Sequence, residues 1–200
     1  MAGIRPFRAI RPAEGKEAQI AALPYDVYSR EEAKKAVEGR PLSFLRIDRA
    51  ETQLSDDVDT CDPRVYEKAK ELLEEMERQG DFVQDKVPCC YLYELTMNGR
   101  SQTGIVACAS IDDYLEGRIK KHENTRREKE EDRVRHVDVC STQTGPIFLA
   151  YWNRPELKAL TEGEKKKEPL FSFVSEDGIG HRGRMISDAD AIRRIQEAFA

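Results

Sequence analysis

The sequence predicts an α+β fold, with a mixed sheet, two β-hairpins and four or five helices. Three observations point to it. Strand-like segments flank two turn dipeptides, Asn98-Gly99 and Asp177-Gly178. Helix-start signals precede apolar residues at helical spacing. Helices and strands do not alternate with the regularity of a doubly wound parallel fold. The 200 residues suit one ordinary domain or two small ones. The expected division is an N-terminal α+β region, 1–110, and a charged-helix plus hairpin region, 111–200. One domain over 1–200 is the alternative.

The elements follow in chain order. Residues 3–10 read as a short strand closed by Pro12. Ser29 and Glu32 make a capping box for a helix running to about Val37, with Gly39 beyond it. Leu42, Phe44, Leu45 and Ile47 read as a strand, and 50–61 as a polar loop. Asp62 before Pro63 is an N-cap with proline at the first helical position. The helix it starts carries Val65, Ala69, Leu72, Leu73 and Met76 and stops at Gly80. Segments 89–97 and 100–109 form a hairpin, because Asn-Gly suits a type I′ turn. A charged helical segment and an apolar strand, 146–152, come next, with Tyr151 and Trp152 expected in the core. Segments 170–175 and 182–186 form the second hairpin. Ser187 is the expected cap of a last helix with the stripe Ile192, Ile195 and Phe199.

Composition excludes several classes. Charged residues make up 36% of the chain, against roughly 25% in an average domain. The 33 basic and 38 acidic residues nearly balance, at a net charge of −5. That is neither a polybasic nucleic-acid coat nor an acidic disordered tail, so nucleic acid is not an expected partner. No apolar run approaches the roughly 18–20 residues of a membrane span, and no signal peptide is visible. Five cysteines without C-x-x-C read as reduced thiols of a cytoplasmic protein. With three scattered histidines they offer no zinc pattern, so no metal ligands are assigned.

Residues 118–136, RIKKHENTRREKEEDRVRH, carry the chemistry. Thr125 and Glu128 would make a capping box. On the helix that follows, Arg126, Lys129, Arg133 and His136 fall in one arc, beside a buried face marked by Val134 and Val137. Like charges at these spacings cost a few tenths of a kcal/mol per pair. An anion against the stripe removes that cost, and phosphate suits guanidinium groups. The N-terminus of the helix would add N–H groups and a favourable dipole. A salt-bridged, solvated helix explains the same pattern, through Arg126 with Glu130 and Arg127 with Glu131. Glu130 lies toward the valine side, as a buried partner for an arginine.

Other residues have a functional and a structural reading each. Asp26 suits a substrate hydroxyl or a cation, or else a turn with Tyr25 as packing. Asp112 and Asp113 suit Mg²⁺, or else a helix N-terminus. His122-Glu123 suits a base with its orienter.

The phrases IRPFRAIRP, LPYDVYSREEA, PLSFLRIDRAE, GDFVQD and IKKHENTRREKEEDRVRH resemble the family called domain of unknown function 1015, or HTR-like. The resemblance covers roughly residues 3–199, and the family's name claims no activity. It implies a chain that is the N-terminal part of a longer protein, since family members continue to a D-G-H-H-R motif. The second half also resembles an incomplete ParB/sulfiredoxin-like fold, as in free-serine kinases. That likeness implies a phosphotransferase acting on a small hydroxy metabolite such as serine, using ATP or ADP with Mg²⁺. Carried over, Glu123 and His122 are catalytic, with Glu123 as base. Thr125, Arg126, Lys129, Arg133 and His136 would bind phosphate. This chain lacks D-G-H-H-R; Asp177-Gly178-Ile179-Gly180-His181-Arg182 reads as a hairpin turn instead. Without that motif the chain is expected to be catalytically incomplete. The alternative is a non-catalytic, nucleotide-gated or partner-binding module; a homodimer is compatible with either.

Overall fold

The computed structural model describes residues 2–122 and 125–200. Its first half runs β1 (Ile4–Arg5), β2 (Ile10–Pro12), α1 (Glu17–Ile20), α2 (Arg30–Val37), α3 (Leu45–Asp48) and α4 (Pro63–Arg78). Single 3-10 turns lie at Tyr25–Val27 and Ala50–Gln53. Then come β3 (Phe82–Gln84), β4 (Cys90–Met97), β5 (Arg100–Val106), β6 (Cys108–Ala109) and α5 (Ile111–Leu115). The chain continues through α6 (Arg127–Cys140), α7 (Pro155–Glu164), β7 (Phe171–Val174), β8 (Gly180–Ile186) and α8 (Ala189–Phe199). These elements form two compact units. Unit one holds the described residues of 1–15, 84–123 and 149–200; unit two holds those of 16–83 and 124–148.

Unit one is built on a four-stranded antiparallel sheet in the order β5-β4-β8-β7. Its first hairpin turns at Asn98 and Gly99, with φ of 52° and 75°. Positive φ at both positions is what a type I′ turn requires, and Asn-Gly supplies it with little strain. The second hairpin joins β7 to β8, and the pairing of β4 with β8 makes one sheet of the two. Cys90, Leu92 and Ile186 share a face and pack against Leu157 and Leu160 of α7 and Ala191 and Ile195 of α8. The opposite face carries Tyr93, Phe171, Phe173 and His181, with ring centroids 4.8–6.0 Å apart. Gly183 lies under the Phe171 ring, where an added Cβ would meet a ring carbon at 2.2 Å. A glycine is therefore required there by packing.

Unit two is helical. Its longest helix, α4, has the Asp62 carboxylate accepting from the Arg64 N–H at 2.9 Å and proline at its start. Its face of Val65, Tyr66, Ala69, Leu73 and Met76 is buried, packed against α3 and α6. The Ser29–Glu32 capping box of α2 is formed in both directions.

Several expectations change. The α+β class stands, but the four-stranded sheet is antiparallel rather than mixed, and the described residues hold eight α-helices, three of them only four or five residues long. Residues 42–47 contain no strand: Leu45 and Ile47 lie in α3, both buried. A short apolar run does not by itself distinguish a strand from a buried helical turn. Residues 3–10 form two strand fragments rather than one. Residues 146–152 form no strand, and Trp152 is 93% exposed instead of in the core. Pro146 lacks an N–H for a ladder. Helix α8 is capped by Asp188, not Ser187.

Candidate functional site

The charge-sorted segment forms α6, in unit two. Its inward face is His136 and Cys140, both buried, flanked by the half-buried Asp132, Arg133 and Val137. Val134 points the other way and is 60% exposed. Arg133 and His136 therefore lie on the buried face itself, not beside it. The capping box is not formed: Arg126 is the N-cap, without a side-chain cap bond, and Thr125 is exposed. Arg126 and Lys129 are exposed and form no side-chain ion pair among the described residues. Glu130 is exposed rather than a buried partner of an arginine. Arg127 and Glu131 do form the expected i, i+4 pair, at 2.7 Å. His122 is exposed in unit one; Glu123 lies outside the described residues.

The inward face meets a polar cluster. The Tyr66 hydroxyl of α4 donates to Asp132 Oδ1 at 2.8 Å. Asp132 Oδ2 accepts from Arg133 Nε at 3.0 Å and Nη2 at 2.9 Å. The guanidinium lies over the Tyr25 ring, 4.3 Å from its centroid, a cation–π arrangement that fixes its plane. Asp48, the last residue of α3, lies 3.9 Å from His136 Nε2. That nitrogen is buried and has no hydrogen-bond partner among the described residues. Thr144 donates a side-chain hydrogen bond to Asp48.

These surroundings set the charges. Burial raises the Asp48 carboxyl to about 6, against the opposing pull of Arg133 and Thr144. Burial lowers His136 to about 4, with the Arg133 charge acting in the same direction and Asp132 opposing. Near neutral pH the pair is thus a neutral imidazole beside a carboxyl that releases its proton just below neutrality. Burial also raises the Cys140 thiol, keeping it protonated. A perturbed carboxyl, an oriented arginine and an unpartnered histidine together can hold an anion and exchange a proton with it.

The structure brings Arg133 and His136 into this cluster and leaves Thr125, Arg126 and Lys129 on the surface. Sequence reasoning missed Asp48, Asp132 and Tyr66. Asp48 directly follows the apolar residues 42–47 that read as a strand, and Asp132 lies outside the arc of Arg126, Lys129, Arg133 and His136. The one available signal was Tyr66, a polar-tipped residue on the apolar stripe of α4. Elsewhere, Asp113 accepts from the Gly3 N–H and the Arg118 guanidinium, so it is committed to structure. Among the described residues, no group of three or more His, Cys, Asp or Glu side chains is arranged to hold a metal ion. Asp26 is exposed in its 3-10 turn, with Tyr25 packing under Arg133.

The fold and this cluster define an α+β protein whose candidate site is a helix-borne group of acid, base and cation. The chain belongs to the family described as Protein of unknown function (DUF1015), whose model matches residues 4–200. No curated protein and no solved structure matches it. These comparisons lend no support to the likeness to ParB/sulfiredoxin-like kinases. Among the described residues, no helix is long and apolar enough to cross a membrane.

Proposed function

We propose that the protein binds a phosphorylated small molecule or nucleotide along α6, as part of a phosphotransferase acting on a hydroxy-bearing metabolite such as serine. The observation that carries this reading is the pair of exposed, unpaired cations Arg126 and Lys129 at a helix N-terminus without a side-chain cap. Free N–H groups and the helix dipole favour an anion there. Thr125 adds a hydroxyl, and Arg133 and His136 extend the site along the helix. An acid–base role for Glu123 and His122 rests on the likeness to free-serine kinases alone. The residues present fit a polyphosphate better than a bare cation, so any Mg²⁺ would arrive with ATP or ADP. The five free thiols are compatible with a reducing, cytoplasmic setting.

A second reading is a non-catalytic, nucleotide-gated or partner-binding module. It is favoured by Arg133 already having a carboxylate partner in Asp132. Calorimetric titration of ADP, ATP and inorganic phosphate tests the common part. Millimolar or tighter binding, weakened at least tenfold by the double substitution Arg126→Ala, Lys129→Ala, is expected. No binding by the unaltered protein would sink both nucleotide readings. Turnover of nucleotide with serine, lost in Glu123→Gln while binding persists, separates the enzyme from the module.

A further inference from the structure

We infer that Ser175 is a nucleophile, with His181 as its base, and that it takes the acyl group of an activated ester. The site belongs to unit one, shares no residue with α6 and does not depend on the phosphate reading.

The register of the second hairpin builds the site. Phe173 pairs with His181 across β7 and β8, and Tyr93 pairs with Gly183 across β4 and β8. Alternation along the strands puts Phe173, His181 and Tyr93 on the face opposite α7 and α8. The turn after β7 returns Ser175 to the same face, where its N–H donates to the Ile179 carbonyl at 2.9 Å. Ser175 Oγ then lies 2.9 Å from His181 Nε2, and His181 Nδ1 lies 2.8 Å from the Tyr93 hydroxyl. The Phe173 ring stacks on the imidazole, with centroids 4.8 Å apart and planes 9° from parallel. A hydroxyl in reach of a base whose other nitrogen is held by a third group is the arrangement that activates a serine. Tyr93 is the positioning residue.

Nε2 is free to accept when the imidazole proton is on Nδ1, donated to the Tyr93 oxygen. Burial lowers His181 from its ordinary value, so the ring is neutral near pH 7. The Ser175 hydroxyl carries one proton, and the Asp177 carboxylate and the Ile179 carbonyl, at 3.0 Å, also lie within reach of it. Rotation about Cβ–Oγ turns that proton to Nε2. The nearby Asp177 charge then favours the imidazolium. The titratable groups facing His181 among the described residues are Tyr93 of β4 and Asp177 of the turn, while β7 presents Phe173, which does not titrate.

In the reaction a bond forms between Ser175 Oγ and the acyl carbon, and the ester C–O bond to the alcohol breaks. The Oγ proton passes to Nε2 and then to the departing alcohol. The N–H groups of Gly178 and Ile179 are committed within the turn, to the Ser175 carbonyl at 2.9 Å and to Asp177 Oδ1 at 3.2 Å. They therefore form no oxyanion hole, and each such donor is worth about 10²–10³ in rate. A lasting acyl-serine is expected rather than fast hydrolysis. Phe171, Phe173 and Tyr93 are half-buried, so a small apolar or aryl acyl group suits the face beside Ser175.

p-Nitrophenyl acetate is the probe, with adducts located by peptide mass spectrometry. We expect a burst of about one nitrophenolate per chain and acetyl on Ser175. The burst is lost in Ser175→Ala and slowed about 100-fold or more in His181→Gln. Its rate falls as pH drops through a midpoint below the ordinary histidine value of about 6.5. Tyr93→Phe lowers that midpoint further, because the imidazolium loses an acceptor. No acetyl on Ser175 in the unaltered protein overturns the inference, whatever the stability of the variants. Acetylation of Ser175 as fast in urea-unfolded protein as in folded protein, or at an undiminished rate in His181→Gln, also overturns it.

Discussion

Asp48 and His136 respond to pH in opposite senses. The folded-state pKa of Asp48 is raised, to about 6. Its contribution to stability is therefore full below the unfolded value and is lost as pH rises through 6. His136 is lowered, to about 4, so its contribution is full above the unfolded value near 6.5 and is lost as pH falls toward 4. Asp48→Asn removes a buried charge. It should raise the melting temperature at pH 7.5, by about 1–3 kcal/mol of stability, with the gain shrinking as pH falls from 6 to 4. His136→Gln should flatten the acid-side loss between pH 6.5 and 4. Thermal melts across that range check both, and Asp48→Asn melting lower than the unaltered protein at pH 7.5 would contradict the buried-charge account. Little of this was legible in the sequence. The groups around Asp48, among them His136, come from α6, which lies far from α3 along the chain.

At the scale of elements, capped helices and hairpin turns were legible because their signals are local. Ser29 with Glu32, Asp62 before Pro63 and Asn98-Gly99 each satisfy or shape nearby backbone, so tertiary context leaves them unchanged. Helix α6 was misoriented for the opposite reason. Val134 and Val137 mark the expected buried face, yet Val134 is exposed and the inward side is largely polar, with Asp132 and Arg133 beside His136 and Tyr66 bonded to Asp132. The network replaces an apolar stripe, which a hydrophobic pattern cannot anticipate. Tyr66→Phe should cost about 1–2 kcal/mol by leaving Asp132 short of a donor, read by chemical denaturation. Gly183→Ala should destabilise unit one by about 1–3 kcal/mol, since the Phe171 ring occupies the space. Gly183→Ala combined with Phe171→Ala should recover part of that loss, and its absence would count against ring packing as the cause.

For the whole molecule, the units draw on segments far apart in sequence. The apolar segment 146–152 illustrates the cost of reading such a chain locally. Ile147, Phe148 and Trp152 look like a core strand, yet they are 74%, 81% and 93% exposed. Trp152 is the one tryptophan of the chain, so fluorescence reads this segment alone. Emission typical of hydrated indole and near-complete quenching by acrylamide are expected. A blue-shifted, protected signal would mean that something covers it. The packing of α4 against α6 has a further consequence, for synthesis. The last residue of α4 is 78 and the last of α6 is 140, so about 60 residues must follow α4 from the ribosome before its partner is complete. At roughly 5–20 residues per second, that interval is about 3–12 seconds. During it, the face of Val65, Ala69, Leu73 and Met76 lacks its α6 cover, within reach of a chaperone that binds nascent apolar helices.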